Sequence, residues 1–158
     1  MKKIELAAET GSAKWERTRV ACRGLVIEDG KLLLSYGAGR NVWMIPGGGL
    51  EGEESEKECC AREIAEETGY IVQPSECVLE IVDFYEDIRM VNRYYPAVLA
   101  GVTKRRLTEQ EEKMGMEPRW LPVDEAKSMF SRYDDFAGVN ELRRSLYRRE
   151  YTALCELF

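Results

Sequence analysis

The chain is expected to fold as α+β around a mixed sheet. Strand-like apolar runs dominate it, one long helical stretch sits in the middle, and two further helical stretches close it. There are no internal repeats, low-complexity tracts or linkers, so residues 1–158 are expected to form one domain, large enough to bury its own core.

Each element has a local reason. Residues 4–8 read as a short strand. Residues 20–27 alternate weakly and run into Glu28-Asp29-Gly30-Lys31, a hairpin turn signal, and Leu32-Leu33-Leu34-Ser35-Tyr36 supplies the return strand. Residues 37–39 are expected as a loop. Trp43-Met-Ile-Pro-Gly-Gly-Gly49 reads as a strand ending in a glycine turn, where the backbone can approach a ligand closely. Residues 56–68 read as a helix. Ser55 suits the N-cap, Glu58 completes a capping box, acids crowd the positive end, and Gly69 fits the stop. Cys59, Cys60 and Ile64 can turn toward a core.

Residues 78–85 and 94–102 read as two long strands with a hairpin connection over 86–92. Residues 104–115 are polar and expected as a mobile loop. Residues 119–122 suggest a short strand, and Asp124 is expected to cap a helix running to about Phe130. Residues 141–157 form a final amphipathic helix with Leu142, Leu146, Leu154 and Leu157 on its buried face.

Composition removes several classes of function. A net charge of −6, from 23 basic and 29 acidic residues, disfavours a surface that binds nucleic-acid polymers. No stretch approaches the length of a membrane span, and the start MKKIELAAETGS lacks an apolar signal core, so no membrane partner is expected. Five cysteines (Cys22, Cys59, Cys60, Cys77, Cys155) are unpatterned and read as free thiols in a reducing cytoplasmic setting. Histidine is absent, so a general base must be a carboxylate, and zinc is disfavoured.

The helix at 56–68 carries an electrostatic problem. Glu63 meets both Glu66 and Glu67 at i, i+3 and i, i+4 spacing, and each like-charge pair costs an isolated helix about 0.2–0.5 kcal/mol. A hard divalent cation offsets that repulsion, and oxygen-only ligands suit Mg²⁺ or Mn²⁺. Glutamate runs are more often solvated helix faces, but here Gly48, Glu54 and Arg62 stand in register with them.

Gly48, Glu54, Arg62, Glu63, Glu66, Glu67 and Gly69 occupy the spacing G-x5-E-x7-R-E-U-x-E-E-x-G-U, with U bulky and apolar. This resembles the Nudix box of diphosphate-cleaving hydrolases. Ile64 meets the first apolar requirement; Tyr70 is aromatic where the family usually has Ile, Leu or Val. Seven fixed matches arise by chance at about 10⁻⁷ per window, against ~10² windows in a chain of this size. The resemblance covers approximately residues 19–130, through W-x-P-x-D-E at Trp120, and implies the α/β/α sandwich of that family.

It also implies hydrolysis of a nucleoside diphosphate linked to another group, by water attacking phosphorus beside bound Mg²⁺. Glu66 and Glu67 are then the principal metal ligands, and Glu63 a further ligand or the proton acceptor. A backbone carbonyl at Gly47 or Gly48 joins the metal shell. Arg62 is expected to orient a glutamate by a charge-assisted bond, and Glu54 to hold the turn against the helix. Members often add an acid from a late loop; Glu111 and Glu112 are the candidates, with Glu112 taken as the ligand. Arg23 and Arg40 are expected near the mouth, gripping phosphates beside Gly47 and Gly48. Tyr85, like Tyr36 and Trp43, is a candidate to stack on a base.

The proline associated with ADP-ribose preference falls near Tyr85-Glu86 and is absent. By elimination a nucleoside triphosphate, giving a monophosphate and diphosphate, is the first expectation. ADP-ribose, dinucleoside polyphosphates and nucleotide sugars are the alternatives. A nucleotide-sensing module without catalysis is disfavoured, because such modules typically lose box glutamates. Dimers are frequent among the apparent relatives, so a homodimer is an expectation.

Overall fold

The computed structural model describes residues 1–8 and 14–158. Along the chain run β1 (Lys2–Glu5), β2 (Arg17–Glu28), β3 (Lys31–Gly37), β4 (Val42–Met44), β5 (Gly47–Gly49), α1 (Glu56–Thr68), β6 (Tyr70–Pro74), β7 (Leu79–Tyr85) and β8 (Ile88–Val102). Then come α2 (Glu109–Lys113), β9 (Met116–Pro122), α3 (Val123–Phe130), a 3-10 turn over Ser131–Phe136, and α4 (Glu141–Leu157).

The sheet is mixed, as expected. Its main path is β1-β7-β8-β2-β3-β4, with β5 on β2, β6 on β8 and β9 on β3. The β1–β7 and β2–β8 pairs are parallel and the others antiparallel. Helices cover both faces. On one, α1 seals a core of Cys22, Val26, Leu33, Cys59, Cys60, Ile64 and Tyr95. On the other, α3 and α4 pack Phe130, Tyr147, Ala153 and Leu154 over Leu25, Leu32, Leu79 and Ile81.

Local signals give the best-defined joints. The β2–β3 hairpin pairs Glu28 with Lys31 across Asp29 and Gly30, whose φ values of 49° and 74° are those of a primed turn matched to strand twist. Several expectations need correction. The first strand lies at Lys2–Glu5, starting two and ending three residues before the expected span, and pairs parallel to β7 with Ile4 opposite Ile81. The connection expected over 86–92 shrinks to Glu86 and Asp87, since β8 begins at Ile88. Its polar residues are held in strand by pairing on both edges, with β7 and β2. Strand β6, absent from the sequence reading, follows the helix stop directly and pairs with β8 across a bulge at Ile71/Val72.

The 104–115 segment is not wholly loop, because Thr108 and Glu111 form a capping box that starts α2. The glycine turn is itself a strand, β5, paired to β2 from Ala21↔Gly49 to Arg23↔Gly47. Asp124 is not a cap; Pro122 holds that position without a side-chain bond, and Asp124 lies in the first turn of α3.

In α4, Leu154 is buried and Leu146 and Leu157 pack against the core as expected, but Leu142 does not. Leu142 is 50% exposed, while Tyr147, Arg149, Glu150, Ala153 and Leu154 are buried. Tyr147 explains part of this, as its hydroxyl accepts from the Trp43 amide and its ring packs edge-on against Phe130 and Phe136. Arg149 and Glu150 enter the core as a pair, bonded at 2.5 Å, with Asp83 3.9 Å from Arg149. A buried charge is tolerated only when paired in this way.

Candidate active site

Helix α1 is fixed at both ends before it positions anything. Ser55 Oγ accepts from the Glu58 amide at 3.2 Å, and Glu58 accepts from the Ser55 amide at 2.7 Å. Gly69 stops the helix at φ 76°, a left-handed conformation that costs glycine little. Ile64 then docks the helix on β2 so closely that a Cβ on Gly24 would lie 2.0 Å from its Cδ1. With Ile64 facing inward, the neighbouring glutamates face β5.

Arg62 is the hub of this arrangement. Its Nε and Nη2 donate to the two oxygens of Glu54 at 2.9 and 2.7 Å, a two-point contact. Nη1 donates to Glu63 at 2.9 Å and Glu66 at 3.2 Å, and Nη2 also reaches the Gly49 carbonyl at 3.2 Å. Glu54 in turn accepts from the Glu51 amide at 2.9 Å. The Arg62 bond holds the Glu54 carboxyl down at about 2, while Glu54 raises the Arg62 guanidinium. Arg62 thus bridges Glu54, Glu63 and Glu66, and Glu54 ties the turn at Glu51 to the helix.

The other glutamates sit in contrasting surroundings. Glu63 lies flat against β5, for a Cβ on Gly48 would meet its carboxylate at 2.4 Å. Burial pushes its carboxyl up, against the opposing pull of Arg62. Glu67 is 5% exposed; its Oε2 accepts from Ser35 Oγ at 3.0 Å and from the Gly47 amide at 3.2 Å. Burial nevertheless drives it up to about 8. Two carboxylates disfavoured as anions, beside a third, define a place where positive charge is wanted.

A cavity of about 340 Å³ opens over them, lined by β5, Arg19, Glu51, Glu63, Glu66, Glu67, Thr108 and Glu111. Among the described residues, no three acidic or thiol side chains converge as metal ligands while Arg62 holds Glu63 and Glu66. The donor set is nonetheless all oxygen, on one helical turn beside the backbone of Gly47 and Gly48, and fits a hard divalent cation once the Arg62 bonds to Glu63 and Glu66 are released.

Four expected site residues lie elsewhere. Arg23 is 7% exposed, donating to Asn92 at 2.9 Å and to the Ile45 carbonyl at 3.2 Å, so it supports β5 from beneath and does not grip phosphates. Arg40 lines a separate hollow with Gln110 and Lys113. Tyr85 lines another beside α4, with Asp83, Ser145 and Arg148. Glu112 is exposed, and Glu111 faces the cavity instead; the capping box fixes the roll of α2, and one residue on is about 100° round the helix. Tyr36 and Trp43 stack on each other with centroids 4.3 Å apart. Ser35 and Arg19 escaped the sequence reading, since both reach the site through strand pairing that no local motif marks.

The NUDIX domain profile matches residues 16–139, slightly past both ends of the span 19–130. Among solved structures, a NUDIX hydrolase from Nitrosomonas europaea is similar at 22% identity and TM-score 0.60, covering 70% of this chain and 76% of that one. A structure described as UDP-X diphosphatase is similar at 21% identity and TM-score 0.56, covering 73% of this chain and 54% of that one. An ADP-ribose pyrophosphatase from Streptococcus suis aligns at 17% identity and TM-score 0.51, covering 67% and 75%. With fold, box and profile in agreement, the chain belongs to the Nudix family of diphosphohydrolases.

Proposed function

We propose that this chain hydrolyses a nucleoside diphosphate linked to another group, with Glu63, Glu66 and Glu67 holding a divalent cation, Mg²⁺ or Mn²⁺, beside the Gly47–Gly48 backbone. The observation that carries this reading is the gathering of these three glutamates and Glu111 around one cavity, with Glu63 and Glu67 pushed toward the neutral form by burial. The cation, when bound, neutralises phosphate charge and lowers the pKa of the attacking water. Before the cation binds, Arg62, anchored on Glu54, holds Glu63 and Glu66 beside the cavity. Ser35 and the Gly47 amide fix Glu67.

Water attacks phosphorus, the anhydride P–O bond breaks, and its electron pair leaves with the departing phosphate. The proton released goes to a carboxylate, and Glu63, raised by burial and resting against Gly48, is the acceptor we favour. Glu111 supplies the late acid in place of Glu112. The substrate class is a nucleoside diphosphate derivative, and a nucleoside triphosphate yielding a monophosphate and diphosphate is the first choice within it.

A panel of nucleoside triphosphates (oxidised ones included), ADP-ribose, dinucleoside polyphosphates and nucleotide sugars, with Mg²⁺ and Mn²⁺, tests the reading. One member should turn over, and Glu66→Gln and Glu67→Gln should each lower its kcat by about a hundredfold or more. Full activity in either variant removes that ligand from the site.

A further inference from the structure

One guanidinium on the rim of the glutamate cavity has no hydrogen-bond or ion-pair partner among the described residues. Arg19 stands on β2 two residues before Ala21, which pairs with Gly49. Its side chain crosses directly over that glycine: a Cβ built on Gly49 would fall 2.9 Å from Nη2 and 3.0 Å from Nε. It borders the same cavity as Glu63, Glu66, Glu67 and Glu111. Its backbone pairs with β8 opposite Met90, yet among the described residues the Arg19 side chain makes no hydrogen bond or ion pair. The other guanidinium here, Arg62, has its donors committed to Glu54, Glu63, Glu66 and the Gly49 carbonyl.

This difference decides what each arginine can do. Arg62 stays forked on Glu54 and the Gly49 carbonyl, and release of Glu63 and Glu66 to a cation frees only its Nη1. Arg19 keeps its planar fork of donors free, a geometry that matches two phosphate oxygens at once. An anionic substrate entering a cavity ringed with glutamates gains from a cation that those glutamates have not claimed. The glycine beneath it leaves room for the guanidinium to lie close to the β5 backbone.

We infer that Arg19 is a substrate-binding residue that grips non-bridging oxygens of the diphosphate held over Glu63, Glu66 and Glu67. The inference rests on the diphosphohydrolase reading above. The competing role is plain screening, in which Arg19 only softens the repulsion among the glutamates. The two roles part at the diphosphate. Loss of a screening cation leaves diphosphate affinity alone, and loss of a phosphate ligand weakens it; under either role the metal binds at least as tightly.

The test is calorimetric titration of the Mg²⁺-saturated protein with methylenediphosphonate, whose carbon bridge cannot be hydrolysed, alongside Mn²⁺ titration of the metal-free protein. Arg19→Gln should weaken the diphosphonate about tenfold or more, and Arg19→Lys by less, while Mn²⁺ binds at least as tightly as in the unaltered chain. Gly49→Ala gives a second route, because the three atoms nearest its methyl all belong to the flexible end of Arg19, which can move aside. It should weaken diphosphonate binding as well, and adding it to Arg19→Gln should cost little more. Diphosphonate binding by Arg19→Gln within twofold of the unaltered chain, including no binding by either, overturns the inference. That result, with Glu66→Gln still losing turnover, leaves the glutamate site standing. Retained turnover in Glu66→Gln would fell the site itself, while the diphosphonate titration still judges Arg19.

Discussion

Alanine at Gly47 and alanine at Gly48 add the same methyl group to adjacent residues, but the two methyls meet different neighbours. At Gly47 the new carbon falls 2.2 Å from the Cys22 carbonyl oxygen and 2.7 Å from the Arg23 Cα, and the residue sits at φ 151°. Both obstacles are backbone of the paired strand, so β5 must retreat from β2 by about 1 Å to restore ordinary contact. Overpacking costs about 1–3 kcal/mol and the glycine-only conformation a similar amount. The sum, roughly 2–6 kcal/mol, lowers Tm by roughly 5–20 °C in a chain of this length.

At Gly48 the collision, at 2.4 Å, is with the carboxylate of Glu63, which can swing away. Gly48→Ala should therefore keep Tm within about 3 °C while pushing the Glu63 carboxylate off β5 and lowering turnover about a hundredfold. Thermal melts and steady-state rates on the best substrate check both arms. A larger loss of Tm in Gly48→Ala than in Gly47→Ala, or full turnover in Gly48→Ala, refutes the placement of Glu63 against β5.

Three further outcomes follow from the same contacts. Glu54→Gln should cost about 1–2 kcal/mol in urea unfolding at pH 6, through the weakened Arg62 fork. Because folding lowers Glu54 from 4.5 to about 2, this contribution is complete above pH 4.5 and fades as pH falls toward 2, so the gap between the two proteins should close there. Glu67 runs the other way: folding raises it from 4.5 to about 8, the folded state binds more protons between those values, and metal-free stability should fall as pH rises through that window. Melts of EDTA-treated protein from pH 5 to 8 should show the decline, and Glu67→Gln should flatten it. Thiol labelling of the native protein should modify exposed Cys155 first and leave Cys22, Cys59 and Cys60 untouched until unfolding, as read by mass spectrometry.

Helix α1 was legible to the residue because everything that defines it is local: Ser55 and Glu58 at one end, Gly69 at the other, and the inward row of Cys59, Cys60 and Ile64. The β2–β3 hairpin was legible for the same reason at Asp29 and Gly30. What failed depended on partners far along the chain. Arg89 and Asn92 look like loop residues until β2 and β7 pair with them on both sides. Arg23 looks like a surface cation, yet β2 is covered by helices on both faces and buries Ala21 through Val26, so a side chain there is interior whichever way it points. Leu142 looks inward by helical spacing, yet it is 50% exposed while Leu146, Leu154 and Leu157 pack on the core. At the site, the glutamates announced themselves by spacing on one helix. Arg19, Ser35 and the choice of Glu111 over Glu112 needed the strand register and the turn of α2.

The most direct test is an anomalous difference map from crystals soaked in Mn²⁺. A peak should stand in the cavity beside Gly48, with oxygens of Glu63, Glu66 and Glu67 about 2.0–2.6 Å away and the Arg62 bonds to Glu63 and Glu66 released. A cavity without a peak, with Arg62 still bridging Glu63 and Glu66, contradicts the account.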